Sequence, residues 1–189
     1  MSKPFIIAFE GLGSSGKTTV LDFIFSSGMK GNVGRCKFPL SYDKDNILSA
    51  YEYLMEMDRF LKGCKHDVLF VDRYKHSTVA YATAREEILD AGFWTLYHQI
   101  PEPDVVVYLK TTPASSAKRD YENKGVLPWV RESVYASFST YFGKKGFEFP
   151  VLKFDINPAS PWVNAKYKRI AKKIKKYCMN LYEESLNAK

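Results

Sequence analysis

Three cysteines, three histidines and no long apolar run mark what this 189-residue chain has little of. Cys36, Cys64 and Cys178 are odd in number and far apart, with no C-x-x-C, which argues against a disulfide framework and for free thiols in a reducing compartment. His66, His76 and His98 make no metal-ligand spacing with them. No apolar stretch approaches the roughly 18 residues of a membrane span, and none has the form of a signal-peptide core. A cytoplasmic location without membrane contact is therefore expected. Internal repeats, low-complexity tracts and linkers are also missing, so residues 1–189 read as one domain with a substantial core.

Charge is present in excess but in one place. The formal net charge is +7, and residues 160–189 carry eight Lys/Arg against two Glu. Within that segment Val163, Tyr167, Ile170, Ile174, Tyr177 and Leu181 recur at steps of three and four, while Lys168, Arg169, Lys172, Lys173, Lys175 and Lys176 fall on the other faces. This describes a helix over about 160–186 that docks by one stripe and leaves a basic face in solvent. Without a stacking platform or a recognisable nucleic-acid-binding motif, nucleic acid is not expected as a partner. Trp94, Trp129 and Trp162 read as core or helix-docking residues.

Apolar strands alternate with helical patterns along the rest of the chain. Strands are expected at Pro4–Glu10, Asn32–Phe38, Asp67–Asp72, Asp104–Lys110 and Val151–Ile156, and helices over about 17–27, 44–62, 74–98, 113–123, 130–142 and 160–186. Runs such as Val68–Val71 and Val105–Leu109 lack alternation, as strands buried on both faces do. The class is α/β, with a five-stranded parallel sheet flanked by helices. Residues 119–131 are polar and interrupted, and suit a short lid that closes over phosphates.

The densest signal is Gly11-Leu12-Gly13-Ser14-Ser15-Gly16-Lys17-Thr18, of the form G-x-x-x-x-G-K-[ST], between the first strand and the first helix. Its glycines let several backbone N–H groups converge on phosphate at a helix N-terminus. Gly11, Gly13, Ser14, Ser15, Gly16, Lys17, Thr18 and Thr19 are the expected ATP-binding residues. Lys17 would reach the outer phosphates, and the Thr18 hydroxyl would hold Mg²⁺. The third strand ends in Asp72-Arg73-Tyr74. Asp72 there can orient the metal, through water or directly, and Arg73 can fork onto a phosphate.

Five segments together resemble the thymidylate kinase family of P-loop nucleoside monophosphate kinases. They are Phe9-Glu10-Gly11 with the loop, Lys37-Phe38-Pro39, Asp58-Arg59, Asp72-Arg73-Tyr74-Lys75-His76-Ser77-Thr78-Val79-Ala80-Tyr81, and Pro103-Asp104 leading to Tyr108-Leu109. The resemblance covers roughly residues 4–142. It implies a P-loop NTPase fold, an ATP donor with Mg²⁺, and a (deoxy)nucleoside monophosphate acceptor, dTMP foremost. It places Lys37, Phe38, Met55, Arg59, Arg73, Tyr74, Ser77 and Tyr81 at the acceptor nucleotide. Tyr81 lies under the sugar, and a lid cation, Arg119, reaches the transferring phosphate beside Lys17, Asp72 and Arg73. A homodimer and small-molecule nucleotide partners are implied as well. Gly13 stands where the family usually has Asp, Ser14 and Ser15 where one subclass has Arg, and Met55 where it often has Phe.

Two other readings stay open. A deoxynucleoside kinase would phosphorylate a 5′-hydroxyl, but it needs a carboxylate base at the end of the second strand, where Lys37-Phe38-Pro39-Leu40 stands. A non-catalytic nucleotide-binding module is the third. A monophosphate acceptor needs cations instead of a strong base, because its phosphate is mostly ionised at neutral pH. Arg59→Ala should therefore raise KM for a nucleoside monophosphate several-fold more than KM for ATP. Equal effects in steady-state kinetics would contradict an acceptor role for Arg59.

Overall fold

The computed structural model describes residues 3–38, 49–119, 128–144, 147–156 and 163–188, without the side chains of Arg119 and Val163. In chain order the elements are β1 (Phe5–Glu10), α1 (Lys17–Ser26), β2 (Val33–Lys37), α2 (Ala50–Gly63), β3 (Val68–Asp72) and α3 (Lys75–Ala84). There follow α4 (Ala91–Gln99), β4 (Val105–Lys110), α5 (Pro113–Arg119), α6 (Pro128–Gly143), β5 (Val151–Asp155) and α7 (Val163–Asn187). The five strands form one parallel sheet in the order β2-β3-β1-β4-β5. The α/β class and the five parallel strands expected from the sequence are both observed, each strand within one residue of its expected ends.

Strand periodicity divides the core into two layers. Ile6, Ala8, Leu69, Val71 and Val106 point to the face covered by α2, α3, α4 and α6. Their neighbours Ile7, Phe9, Phe70, Val105 and Val107 point to the face covered by α1 and α7. Both faces of β1, β3 and β4 are thus buried, which accounts for their unbroken apolar runs. At the centre, β1 lies between β3 and β4, so the loop that leaves its carboxyl end emerges over the middle of the sheet.

Three helical expectations change. The single helix over 74–98 is two helices. Chain direction breaks after Ala84, where Glu86 takes a left-handed φ of 58°. Asp90 then restarts helical structure as the N-cap of α4, its side chain accepting from Phe93 N at 2.8 Å. The break frees Glu87 to accept from the backbone N–H of Ala50 at the start of α2, at 2.9 Å. Second, α2 begins at Ala50 behind a capping box in which Ser49 and Glu52 exchange side-chain and backbone bonds. The Ser49-x-x-Glu52 spacing signals this start; residues 44–48 lie outside the described residues. Third, the docking stripe of α7 runs through Tyr167, Ile170, Ile174 and Cys178, and Tyr177 is exposed.

Trp94 and Trp129 are also exposed rather than core, at 38% and 52%, while Trp162 lies outside the described residues. The expected lid lies largely outside them too: residues 120–127 are not described. All three cysteines are free. No helix among the described residues is long and apolar enough to cross a membrane. Removing the α4 cap by Asp90→Ala should cost about 1 kcal/mol, a few degrees in Tm, with the sheet intact by circular dichroism.

Candidate active site

The loop after β1 is shaped by three residues with positive φ: Gly11 at 138°, Ser14 at 52° and Gly16 at 90°. Two of the glycines are also sterically required. A Cβ on Gly11 would come within 2.5 Å of the Leu109 carbonyl oxygen, and one on Gly16 within 2.4 Å of the Tyr167 ring on α7. This curl brings the side chain of Lys17, the first residue of α1, back over the loop. Its Nζ donates to Leu12 O at 2.7 Å, Gly11 O at 3.1 Å and Ser15 Oγ at 3.2 Å. Burial, with the nearby Arg73 guanidinium in second place, lowers the Lys17 pKa to about 7.

Asp72 ends β3 beside the loop. Its Oδ2 accepts from Thr18 Oγ1 at 2.7 Å, so the two expected metal residues are in contact. A hydroxyl and a carboxylate are hard oxygen donors that suit Mg²⁺. Among the described residues no group of three or more His, Cys, Asp or Glu could hold a metal.

Arg73 turns the chain from β3 into α3 with a left-handed φ of 75°. Its backbone N–H donates to Phe9 O at 3.0 Å and its Nη1 to Gly11 O at 3.1 Å. The guanidinium carbon lies 4.9 Å above the Tyr81 ring. A cation from the Asp72-Arg73-Tyr74 turn therefore rests on the rim of the phosphate loop.

The other expected acceptor residues fall into two groups. Tyr74 and Ser77 are fully buried, and their side chains are engaged elsewhere: Tyr74 donates its hydroxyl to Pro101 O at 2.9 Å, and Ser77 donates to Glu10 Oε2. Phe38 is buried too, with its ring edge-on to Tyr53 and Phe60 and its carbonyl accepting from Tyr53. Lys37 is exposed at the end of β2, in register with Asp72. Met55 and Arg59 are exposed on α2, and among the described residues Arg59 forms no ion pair. The structure thus gathers Lys17, Thr18, Asp72, Arg73 and Tyr81 at the loop, and leaves Arg59 in solvent. The side chain of Arg119 lies outside the described residues.

Gly13 is not idle. Its carbonyl accepts from Ser116 Oγ on α5 at 2.8 Å, and that oxygen also receives Arg131 Nη1 from α6 at 3.1 Å. Position 13 is where α5 and α6 meet the loop.

A model of the thymidylate kinase family matches residues 54–136. The match supports membership of the thymidylate kinase family. It takes in most of α2, the whole Asp72–Tyr81 run and the start of α6. The sheet and flanking helices are consistent with the P-loop kinase fold of that family. No curated protein matches the chain. The match supports phosphorylation of nucleoside monophosphates in general, with ATP and Mg²⁺ as the matched family's usual reagents.

Two residues without an expected role are central to this site. Glu10, the last residue of β1, accepts from Tyr74 N at 3.2 Å, Ser77 N at 3.3 Å and Ser77 Oγ. Its signal was its place directly before the loop at the end of a buried strand. His76 sits between Glu10 and Glu102, with Nδ1 3.5 Å from Glu10 Oε1 and Nε2 3.7 Å from Glu102 Oε2. Burial pushes its pKa down, but the two carboxylates outweigh that and raise it. No spacing in the sequence signals this contact.

The lowered Lys17 pKa has a measurable consequence. A bound phosphate restores the lysine's proton, so ATP binding should take up protons above about pH 7 and weaken as pH rises further. Calorimetry in buffers of different ionisation heat should show fractional proton uptake at about pH 8 and almost none at about pH 6.

Proposed function

We propose that the chain transfers the terminal phosphoryl group of ATP, bound with Mg²⁺, to the phosphate of a deoxynucleoside monophosphate, with dTMP the first acceptor. The observation that carries this reading is the position of Arg73. Its guanidinium reaches Gly11 O on the loop that would hold the donor phosphates, 4.9 Å above Tyr81. A cation at that spot offers a second phosphate a place beside the first, which a nucleoside acceptor has no use for.

In this mechanism an oxygen of the acceptor phosphate attacks the γ-phosphorus, and the bond to the β–γ bridging oxygen breaks. Most of the work is positioning and charge neutralisation. Lys17 exchanges its loop carbonyls for the outer phosphates of ATP. Mg²⁺ supplies further charge neutralisation when bound, and Thr18 and Asp72 are the residues that would hold it. Arg73 fixes the acceptor phosphate, with Lys37 and Arg59 adding charge from β2 and α2. Tyr81 lies under the sugar, Tyr74, Ser77, Phe38 and Met55 complete the acceptor site, and Arg119 reaches the transferring phosphate from the lid. We read residues 1–189 as one kinase domain, working in the cytoplasm as a homodimer by analogy with the family.

The commitments of the buried acids disfavour a nucleoside acceptor. Glu10 is taken up by the start of α3, so it is not free to deprotonate a 5′-hydroxyl, and Asp72 is assigned to the metal. A coupled ADP-release assay over the common nucleoside and deoxynucleoside monophosphates, with nucleosides included, tests the reading. The highest kcat/KM is expected for dTMP, and Lys17→Ala should abolish turnover with the fold retained by circular dichroism. Turnover of nucleosides alone would overturn the proposal; ATP binding without turnover of any acceptor would favour a non-catalytic module.

A further inference from the structure

Helix α7 turns a stripe of five cations to solvent. Lys168, Arg169, Lys172, Lys173 and Lys176 are all exposed. At about 100° per residue they fall within about 140° of the helix circumference and along about 12 Å of its axis. The buried residues Tyr167, Ile170, Ala171, Ile174 and Cys178 occupy the opposite side. Packing of that side on the sheet and α1 therefore holds the stripe outward.

The fold itself makes no use of these charges. Two other lysines of α7 do serve it: Lys166 donates to Asp155 O and Lys175 to the Ser27 hydroxyl. Among the described residues none of the five forms an ion pair. No Asp or Glu stands between Val163 and Tyr182. Lys168 and Lys172, Arg169 and Lys173, and Lys172 and Lys176 are each four residues apart, where like charges repel along one face. Interleaved acids at the same spacing would attract instead. A partner with repeating negative charge relieves this repulsion and converts it into binding.

The shape of the stripe favours one class of polyanion. Lys168 and Lys172 form one border and Arg169 and Lys173 the other, about 100° around the helix. A flat anionic lipid surface meets the crest between the borders, and most apolar residues of α7, which would enter lipid, are turned to the sheet. The major groove of a nucleic-acid duplex is about 12 Å wide, admits an α-helix and carries phosphates along both walls. Each border then faces one wall. The sequence expectation of no nucleic-acid partner rested on a missing stacking platform and motif. Single strands need the platform, whereas contacts to a duplex backbone need neither.

We propose that α7 binds the phosphate backbone of double-stranded DNA, lying along the major groove without reading sequence. The surface includes no residue assigned to ATP or the acceptor, so the proposal stands apart from the kinase reading.

Fluorescence anisotropy of a short labelled DNA duplex, titrated with the full chain, tests it. Affinity should fall about 500-fold between about 50 and 200 mM salt, a logarithmic slope of about −4.5 for five phosphate contacts. Lys172→Ala should reduce the size of that slope by about 0.9. Lys172→Glu combined with Lys173→Glu should weaken binding at least tenfold. Lys62→Ala removes the same charge from α2 and should leave affinity within roughly twofold, because it lies off the stripe. Unchanged thermal unfolding would show that each variant is folded, and Lys176→Ala is a second single-site variant if another is not. No binding at about 50 mM salt would overturn the proposal. So would a slope unchanged in folded Lys172→Ala, or equal weakening by Lys62→Ala. Binding to phosphatidylserine vesicles, polyglutamate or single-stranded oligothymidylate as tight as to the duplex would overturn it as well.

Discussion

The carboxylate of Glu10 is the constraint on which the site depends. Helix α3 begins at Lys75 with no side-chain cap of its own, so its first N–H groups need partners from elsewhere. Glu10 supplies them from the neighbouring strand, taking Tyr74 N, Ser77 N and the Ser77 hydroxyl. Each bond to a charged group contributes on the order of 1.5–3 kcal/mol, and the group is fully buried, so water offers no substitute. A carboxylate at a helix N-terminus also suits the helix dipole. Because Glu10 directly precedes Gly11, the phosphate loop and the helix that follows Arg73 share one anchor. The left-handed turn at Arg73 is held between that anchor and the Phe9 carbonyl, and its guanidinium falls on the loop as a result.

Much of this was legible in the sequence, and the reasons differ by element. Strands buried on both faces are long unbroken apolar runs, and their ends came out within a residue. The phosphate loop is read directly because only glycine tolerates the backbone at positions 11 and 16. The division of 74–98 into α3 and α4 was hidden. Its break rests on a left-handed Glu86 and a carboxylate that reaches α2, neither of which leaves a Gly or Pro mark. His76 was silent for a similar reason, since its neighbours Glu10 and Glu102 are distant in sequence. Ser77 and Phe38 carry the family pattern and also brace the scaffold, through Glu10 and Tyr53, a second task that the motif does not announce.

The basic C-terminal helix illustrates how a charge run divides its labour. Tyr167, Ile170, Ile174 and Cys178 pack on the sheet and α1, while the lysines around them meet solvent. Some do structural work at helix and strand ends. Lys175 donates to the Ser27 hydroxyl and to the Gly28 carbonyl just past α1, and Lys166 to the carbonyl of Asp155. Cations near the last carbonyls of a helix are favourable, so part of the positive excess is accounted for by the fold itself.

The contact between Gly16 and Tyr167 reaches across almost the whole chain. The phosphate loop is made about 150 residues before the ring that packs on it. A nascent chain that had already folded β1, β3 and β4 would still lack the ring that packs against the loop. A chain interrupted before α7 would carry the motif without the ring that packs against Gly16.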